Sequence, residues 1–248
     1  MILFKSDWDL YPNAIIDKQT TNITALKLVA LFRKMNVDNC EFILALHDAE
    51  LQGVDPFSED LTQEQKVRIA SECRINPWYI IREIIRLPAS SGTEPLRYRL
   101  NRFNVAQMWL YFNHITTLGI APRQTGKSVA NDVLNTVLMG FITINTKMNL
   151  LTKDDALRVA NITRLKDIYK ELPKFLQLKN RKDTNNTEKI TVLALGNILT
   201  SSVGNLSKSA AVKLGRGLTI ANSFIDEIAF IPNIDITLPA LLAASGKQ

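Results

Sequence analysis

The sequence has few cysteines and few histidines. Cys40 and Cys73 are its only two cysteines, far from any C-x-x-C spacing, and no histidines cluster around them. This excludes a disulfide framework and a zinc site of ordinary ligand spacing, and leaves two buried free thiols as the expectation. Long apolar runs are missing as well. Arg82, Glu83 and Arg86 interrupt the longest candidates, so none approaches the roughly 20 residues that cross a bilayer. The opening Met1-Ile2-Leu3-Phe4-Lys5-Ser6-Asp7 meets an acid within a few residues and holds no apolar stretch of secretory-signal length. A soluble, intracellular protein with no membrane partner is expected. Repeats and low-complexity tracts are absent, and 10 glycines and 9 prolines in 248 residues exclude collagen-like and disordered classes.

What remains is a globular composition, long enough for one sizeable core or two small ones. The formal charge of +6, from 30 basic and 24 acidic residues, favours a polyanionic partner only mildly, because many basic enzymes bind no nucleic acid.

Helical signals dominate the first part. Asn22-Ile23-Thr24 opens a run with near-helical apolar spacing, and a second helix is expected over residues 38–51. Thr62 and Gln65 have capping-box spacing, and Pro77 separates that helix from a short apolar one over 78–85. Ala89-Ser90-Ser91-Gly92-Thr93-Glu94-Pro95 is small, polar and turn-forming, and is the best boundary: residues 1–92 are expected to form a helical segment and 93–248 a separate core. Beyond it the texture alternates. A helix is expected over 104–113, a strand over 117–120, a helix carrying Val129, Val133 and Val137, an extended piece over 149–152 and a helix over 154–172. Strands over 190–195 and 198–202 flank Gly196-Asn197, a hairpin signal, and a last strand covers 219–225. The fold class expected is α/β, a mostly parallel sheet flanked by helices.

Two motifs carry chemistry. Ala121-Pro122-Arg123-Gln124-Thr125-Gly126-Lys127-Ser128 is a P-loop variant, with alanine at the first glycine position. A polyphosphate needs inward backbone N–H groups at a helix start, a lysine for the terminal phosphates and a hydroxyl for magnesium; Gly126, Lys127 and Ser128 supply these. The plainer reading is a chance GKS in a loop. The second motif, Phe224-Ile225-Asp226-Glu227, ends a strand in two acids. Strand alternation lets Asp226 face a magnesium ion while Glu227 approaches the attacking water, as magnesium ligand and general base. A solvated acidic strand end is its bland alternative, but both motifs in the right order point to ATP and Mg2+ as ligands. Arg123 is placed to reach the γ-phosphate, or is merely an exposed loop arginine. Gln107 has an amide suited to an adenine edge, yet Asn104 and Gln107 also have capping-box spacing.

These stretches resemble the large terminase subunit of tailed bacteriophages, the motor that packages DNA into proheads, and the myovirus type in particular. The likeness runs through Pro122-Arg123-Gln124-Thr125-Gly126-Lys127-Ser128, through Lys153-Asp154-Asp155-Ala156 up to Glu171-Leu172-Pro173-Lys174-Phe175-Leu176-Gln177, and through Gly215-Arg216-Gly217 into Asp226-Glu227-Ile228-Ala229-Phe230-Ile231-Pro232-Asn233. The resemblance implies an ATPase of the P-loop fold. Gln124, Thr125, Gly126, Lys127 and Ser128 would hold the nucleotide, Gln107 would read adenine, and Arg123 would sense the γ-phosphate. Asp226 would hold magnesium, Glu227 would activate water, and Arg216 would serve a neighbouring subunit's site. It also implies double-stranded DNA, a portal protein, a small terminase subunit and a homo-oligomeric ring as partners, in a host cytoplasm during virion assembly. Family members continue into a coupling motif and a nuclease domain. Neither is expected here, so the core reads as incomplete: a fragment, a split gene, or a coding sequence interrupted by an intron or intein. A nucleotide-binding module without turnover and a helicase-like remodeller stay open as alternatives. Lys179, Arg181 and Lys182, or Lys208 and Lys213, are candidate phosphate contacts, with solvated loops as the plainer reading. His114 and the Trp78-Tyr79 pair are expected to pack.

Overall fold

The computed structural model describes residues 1–89, 94–122, 125–204, 207–209 and 220–244. Ser90, Ser91, Gly92 and Thr93 of the expected boundary lie outside them. The chain is mixed α/β and divides into two compact units: Met1–Val137 with Asp167–Gln177, and Leu138–Lys166 with Leu178–Gln248.

In the first unit, α1 (Ile23–Lys34) begins where the Asn22 side chain accepts from Ala25 N–H. Its neighbour α2 (Gln63–Ile75) begins at the expected capping box of Thr62 and Gln65. The helix expected over 38–51 does not form. Cys40–Leu44 is a 3-10 turn, Ala45–Leu46 is strand β2 paired antiparallel with β1 (Ile15–Ile16), and Ala49–Leu51 is a second 3-10 turn. Phe42 through Leu46 are all buried, and a run buried on every side has no helical stripe to present. Asn76 caps α3 (Pro77–Tyr79), with proline at the first helical position where its missing N–H costs nothing. The helix widens into a π turn over Ile80–Ile84, followed by a small antiparallel pair, β3 (Arg86–Leu87) and β4 (Leu96–Arg97).

Trp78 is the centre of this core. It meets Phe42 and Phe112 edge to face, at 4.9 and 5.4 Å between ring centroids. Trp78 and Tyr79 therefore pack as expected. His114 does not: it is exposed, at φ +57°, where it ends α4 (Arg102–Phe112) while Ile115 N–H reaches back to Leu110 O. Both cysteines are buried free thiols, as expected.

Helix α5 (Lys127–Val137) buries Val133 and Val137 and contacts both α4 and the π turn of Ile80–Ile84. The strand expected over 117–120 is absent. Residues 115–120 are irregular and exposed, with Ile120 at 90%. Four residues that include Gly119 form a strand only against a partner, and no described strand pairs with them.

The second unit holds a four-stranded mixed sheet of order β6-β7-β5-β8. Strand β5 (Lys147–Thr152) runs parallel to β7 (Asn197–Val203) on one side and to β8 (Asn222–Ile225) on the other. β6 (Lys189–Val192) pairs antiparallel with β7, giving the hairpin signalled by Gly196-Asn197. Gly196 sits at φ +70°, and a side chain there would collide with Asn145. The π turn Leu138–Ile142 leaves carbonyls without helical partners. Buried Asn197 takes up the slack, its Nδ2 donating to Met139 O at 3.0 Å and Thr143 O at 2.8 Å. Helix α6 (Asp155–Lys170) matches the expected helix to within two residues. A short apolar helix, α7 (Ile234–Ala244), closes a core of Leu151, Ile220, Ile231 and Leu241. No helix among the described residues is long and apolar enough to cross a membrane.

Candidate functional site

Each compact unit carries one of the two motifs. In the first, Gly126 takes φ +80°, with open space where a side chain would stand. Only glycine adopts that backbone without strain, so the turn into α5 is written by this residue. Gly126 O accepts from Ala130 N–H at 2.8 Å, which places Lys127 and Ser128, both half-buried, in the first helical turn. The N–H groups of a first helical turn have no partner within the helix, and with the positive end of the helix dipole they suit an anion. Thr125 Oγ1 donates to Pro122 O at 3.0 Å. Arg123 and Gln124 lie outside the described residues.

Gln107 is not a capping residue. The cap of α4 falls one turn earlier, where Asn101 Oδ1 accepts from Asn104 N–H at 3.0 Å and Asn104 Oδ1 accepts from Asn101 N–H at 2.8 Å. Gln107 is thereby released, and its Nε2 donates to Asn131 Oδ1 on α5. Its Oε1 is buried with no hydrogen-bond partner, an acceptor held ready. Beside the same helix, Asn101, Arg102, Phe103 and Thr125 line an open groove of about 660 Å³.

In the second unit, the acids lie at the C-terminal end of β8. Asp226 is buried, and its N–H donates to Leu151 O at 2.9 Å, extending the parallel ladder by one bond. Its Oδ2 accepts from Asn161 Nδ2 of α6 at 3.2 Å, while Asn161 Oδ1 accepts from Arg164 Nη2 at 2.7 Å. The chain leaves extended geometry at the next residue. Glu227 is at φ +55°, so it turns away from the strand by a left-handed step into the 3-10 turn Ile228–Phe230, not by strand alternation. Such a conformation costs a non-glycine residue about 1–2 kcal/mol. It delivers Glu227 Oε2 to 2.6 Å from Lys153 Nζ, an ion pair not aligned as a hydrogen bond. Lys153 follows β5 directly and also lies 5.5 Å from the centre of the Phe230 ring.

Lys153, Asn161 and Asn131 are the contacts that motif reading missed. The signal for Lys153 was its place: the first residue beyond a strand that pairs with the acid-bearing strand. Among the described residues no three His, Cys, Asp or Glu side chains gather as a metal cluster. Arg216, Gly215 and Gly217 lie outside the described residues.

No family model matches the chain, and no curated protein is similar to it.

Proposed function

We propose that the chain is the ATP-hydrolysing part of a DNA-translocating motor, of the kind its motifs resemble in the large terminase subunit of tailed bacteriophages. One observation carries this reading: Asp226-Glu227 closes the C-terminal end of β8, parallel to β5, where open α/β sheets bind their ligands. The turn at Gly126 that opens α5 with Lys127 and Ser128 supports it. The P-loop fold, DNA as substrate, the portal, the small subunit and a ring of copies belong to this proposal through the resemblance.

Lys127 binds the terminal phosphates, and Gln107 Oε1 accepts from the exocyclic amino group of adenine. By the resemblance, Ser128 and Asp226 would serve a magnesium ion, a hydroxyl and a buried carboxylate being hard oxygen donors, and the ion would supply neutralising charge for the phosphates. Glu227 accepts the proton of the attacking water. Arg123 stabilises charge on the γ-phosphate, and Arg216 serves a neighbouring copy.

A nucleotide-binding module without turnover is the second reading, and the Lys153–Glu227 pair favours it, since the lysine occupies a carboxylate oxygen that would meet the attacking water. Steady-state phosphate release separates the two, measured for wild type and Glu227→Gln with and without duplex DNA. Hydrolysis should fall about 10²- to 10⁴-fold in the variant while ATP still binds. Wild type that binds ATP but releases phosphate no faster than the variant is the module; strand separation would instead indicate a helicase-like remodeller.

A further inference from the structure

The segment before β6 separates its charges by sign. Residues 180–183 form a tight turn closed twice: Asp183 N–H donates to Asn180 O at 3.0 Å, and Asn180 N–H donates to Asp183 Oδ2 at 2.7 Å. Lys182 N–H donates to Asn180 Oδ1 at 3.0 Å. The other oxygen of Asp183 accepts from Leu193 N–H at 2.8 Å and from Thr191 Oγ1 at 3.2 Å, so this carboxylate is spent on the turn itself. Thr184 and Thr191 exchange bonds of 2.8 and 2.9 Å, fixing the turn to the sheet. Glu188, the segment's other acid, lies 3.6 Å from Arg158.

The cations are treated differently. Lys179, Arg181, Lys182 and Lys189 are exposed, and among the described residues no carboxylate lies within ion-pair distance of any of them. Arg181 and Lys182 occupy the two tip positions of the turn. Residues 178–189 contain no aromatic side chain, hence no platform on which an unpaired base could stack. Four unpaired cations on a braced turn suit phosphates spaced along a backbone, which demand charge and position but no particular base.

We propose that this turn, with Lys179 and Lys189, is a sequence-independent docking surface for the phosphate backbone of double-stranded nucleic acid. It deepens the motor reading above, on which it rests for the identity of the polyanion. The test is fluorescence anisotropy of a labelled blunt-ended duplex, without nucleotide, across about 50–200 mM salt. In the variant Lys179→Ala/Arg181→Ala/Lys182→Ala, the slope of log affinity against log salt should shrink by about 0.9 per lost contact, and affinity should fall alike for unrelated sequences. A slope equal to that of wild type overturns the proposal, as does a larger loss on a single strand of equal length than on the duplex. Asp183→Ala separates architecture from net charge. It removes a negative charge, so net charge alone calls for tighter binding, whereas a braced turn calls for weaker; tighter binding overturns the proposal. Phosphate release by wild type is measured in parallel. A changed slope without ATP turnover leaves this surface standing and removes the motor; turnover with an unchanged slope does the reverse.

Discussion

Glu83 in the first compact unit and Glu227 in the second each face a cation, and their surroundings differ throughout. Glu83 is buried beside Arg82, which is wholly inaccessible; the Arg82 Nε–Glu83 Oε1 distance is 2.8 Å and Arg82 Nη2–Asp17 Oδ2 is 3.0 Å. Thr20 donates to the same Glu83 oxygen, Arg97 lies 3.3 Å from the other, and Arg82 also donates to Ile43 O. Glu227 has one ion pair, with Lys153. That pair is about a third exposed on each side, and the glutamate sits on a left-handed backbone. A buried carboxylate with partners on both oxygens holds a fold together; one with a single, partly exposed ion pair among the described residues, at a strand end, is a candidate for chemistry.

The comparison breaks most visibly at Arg82. Replacing it in Arg82→Met leaves Asp17 and Glu83 buried without their shared cation, and should cost about 3–5 kcal/mol. Urea denaturation followed by far-UV circular dichroism measures this. Adding Glu83→Gln should recover part of the loss by removing one stranded charge. A cost below about 1 kcal/mol for the single variant would mean that Glu83 is no more structural than Glu227.

How much of this was readable beforehand follows the range of the forces involved. Local signals held: the Thr62-Gln65 box, the Asn22 cap, proline at the start of α3 and the hairpin at Gly196-Asn197 all act through neighbours a few residues away. Readings that depended on distant partners did not hold. Residues 117–120 look like a strand in sequence but have no described partner, and residues 38–51 look apolar enough for a helix, but their central run, residues 42–46, is buried throughout and shows no helical stripe. At the candidate site the motif residues were chosen by type and spacing, which phosphate and metal chemistry would restrict. The side chains that hold them, Lys153 on Glu227, Asn161 on Asp226 and Asn131 on Gln107, come from elsewhere in the chain and carry no motif.

A smaller effect is expected from Glu72, another carboxylate buried in the first unit. Burial pushes its pKa up, but hydrogen bonds from the His47 ring and backbone and from Asn76 outweigh burial and hold it below the usual value. A carboxyl depressed in the folded state contributes stability that is complete above its unfolded pKa, near 4.5, and is lost as pH falls through the lower folded value. Wild type should therefore lose stability on acidification below that pH. Glu72→Gln should be less stable at neutral pH but show a shallower acid limb. Because burial and hydrogen bonding oppose each other here, the change should be smaller than at Arg82. Equally steep acid limbs in the two proteins would remove Glu72 from the structural group.

The smallest effect on stability, and the sharpest on function, is expected at Lys153. An ion pair this exposed is worth at most about 1 kcal/mol, so Lys153→Met should fold with nearly wild-type stability while keeping the apolar stem over Phe230. If the pair holds Glu227 away from water, phosphate release without DNA should rise in the variant, and Lys153→Arg, which keeps the charge, should stay near wild type. If the lysine instead orients Glu227 for catalysis, release should fall in Lys153→Met with little change in the Michaelis constant for ATP. Either change assigns the pair to function. Loss of several kcal/mol with no specific effect on turnover would place Lys153 and Glu227 beside Arg82 and Glu83, as structure, and erase the distinction between the two glutamates.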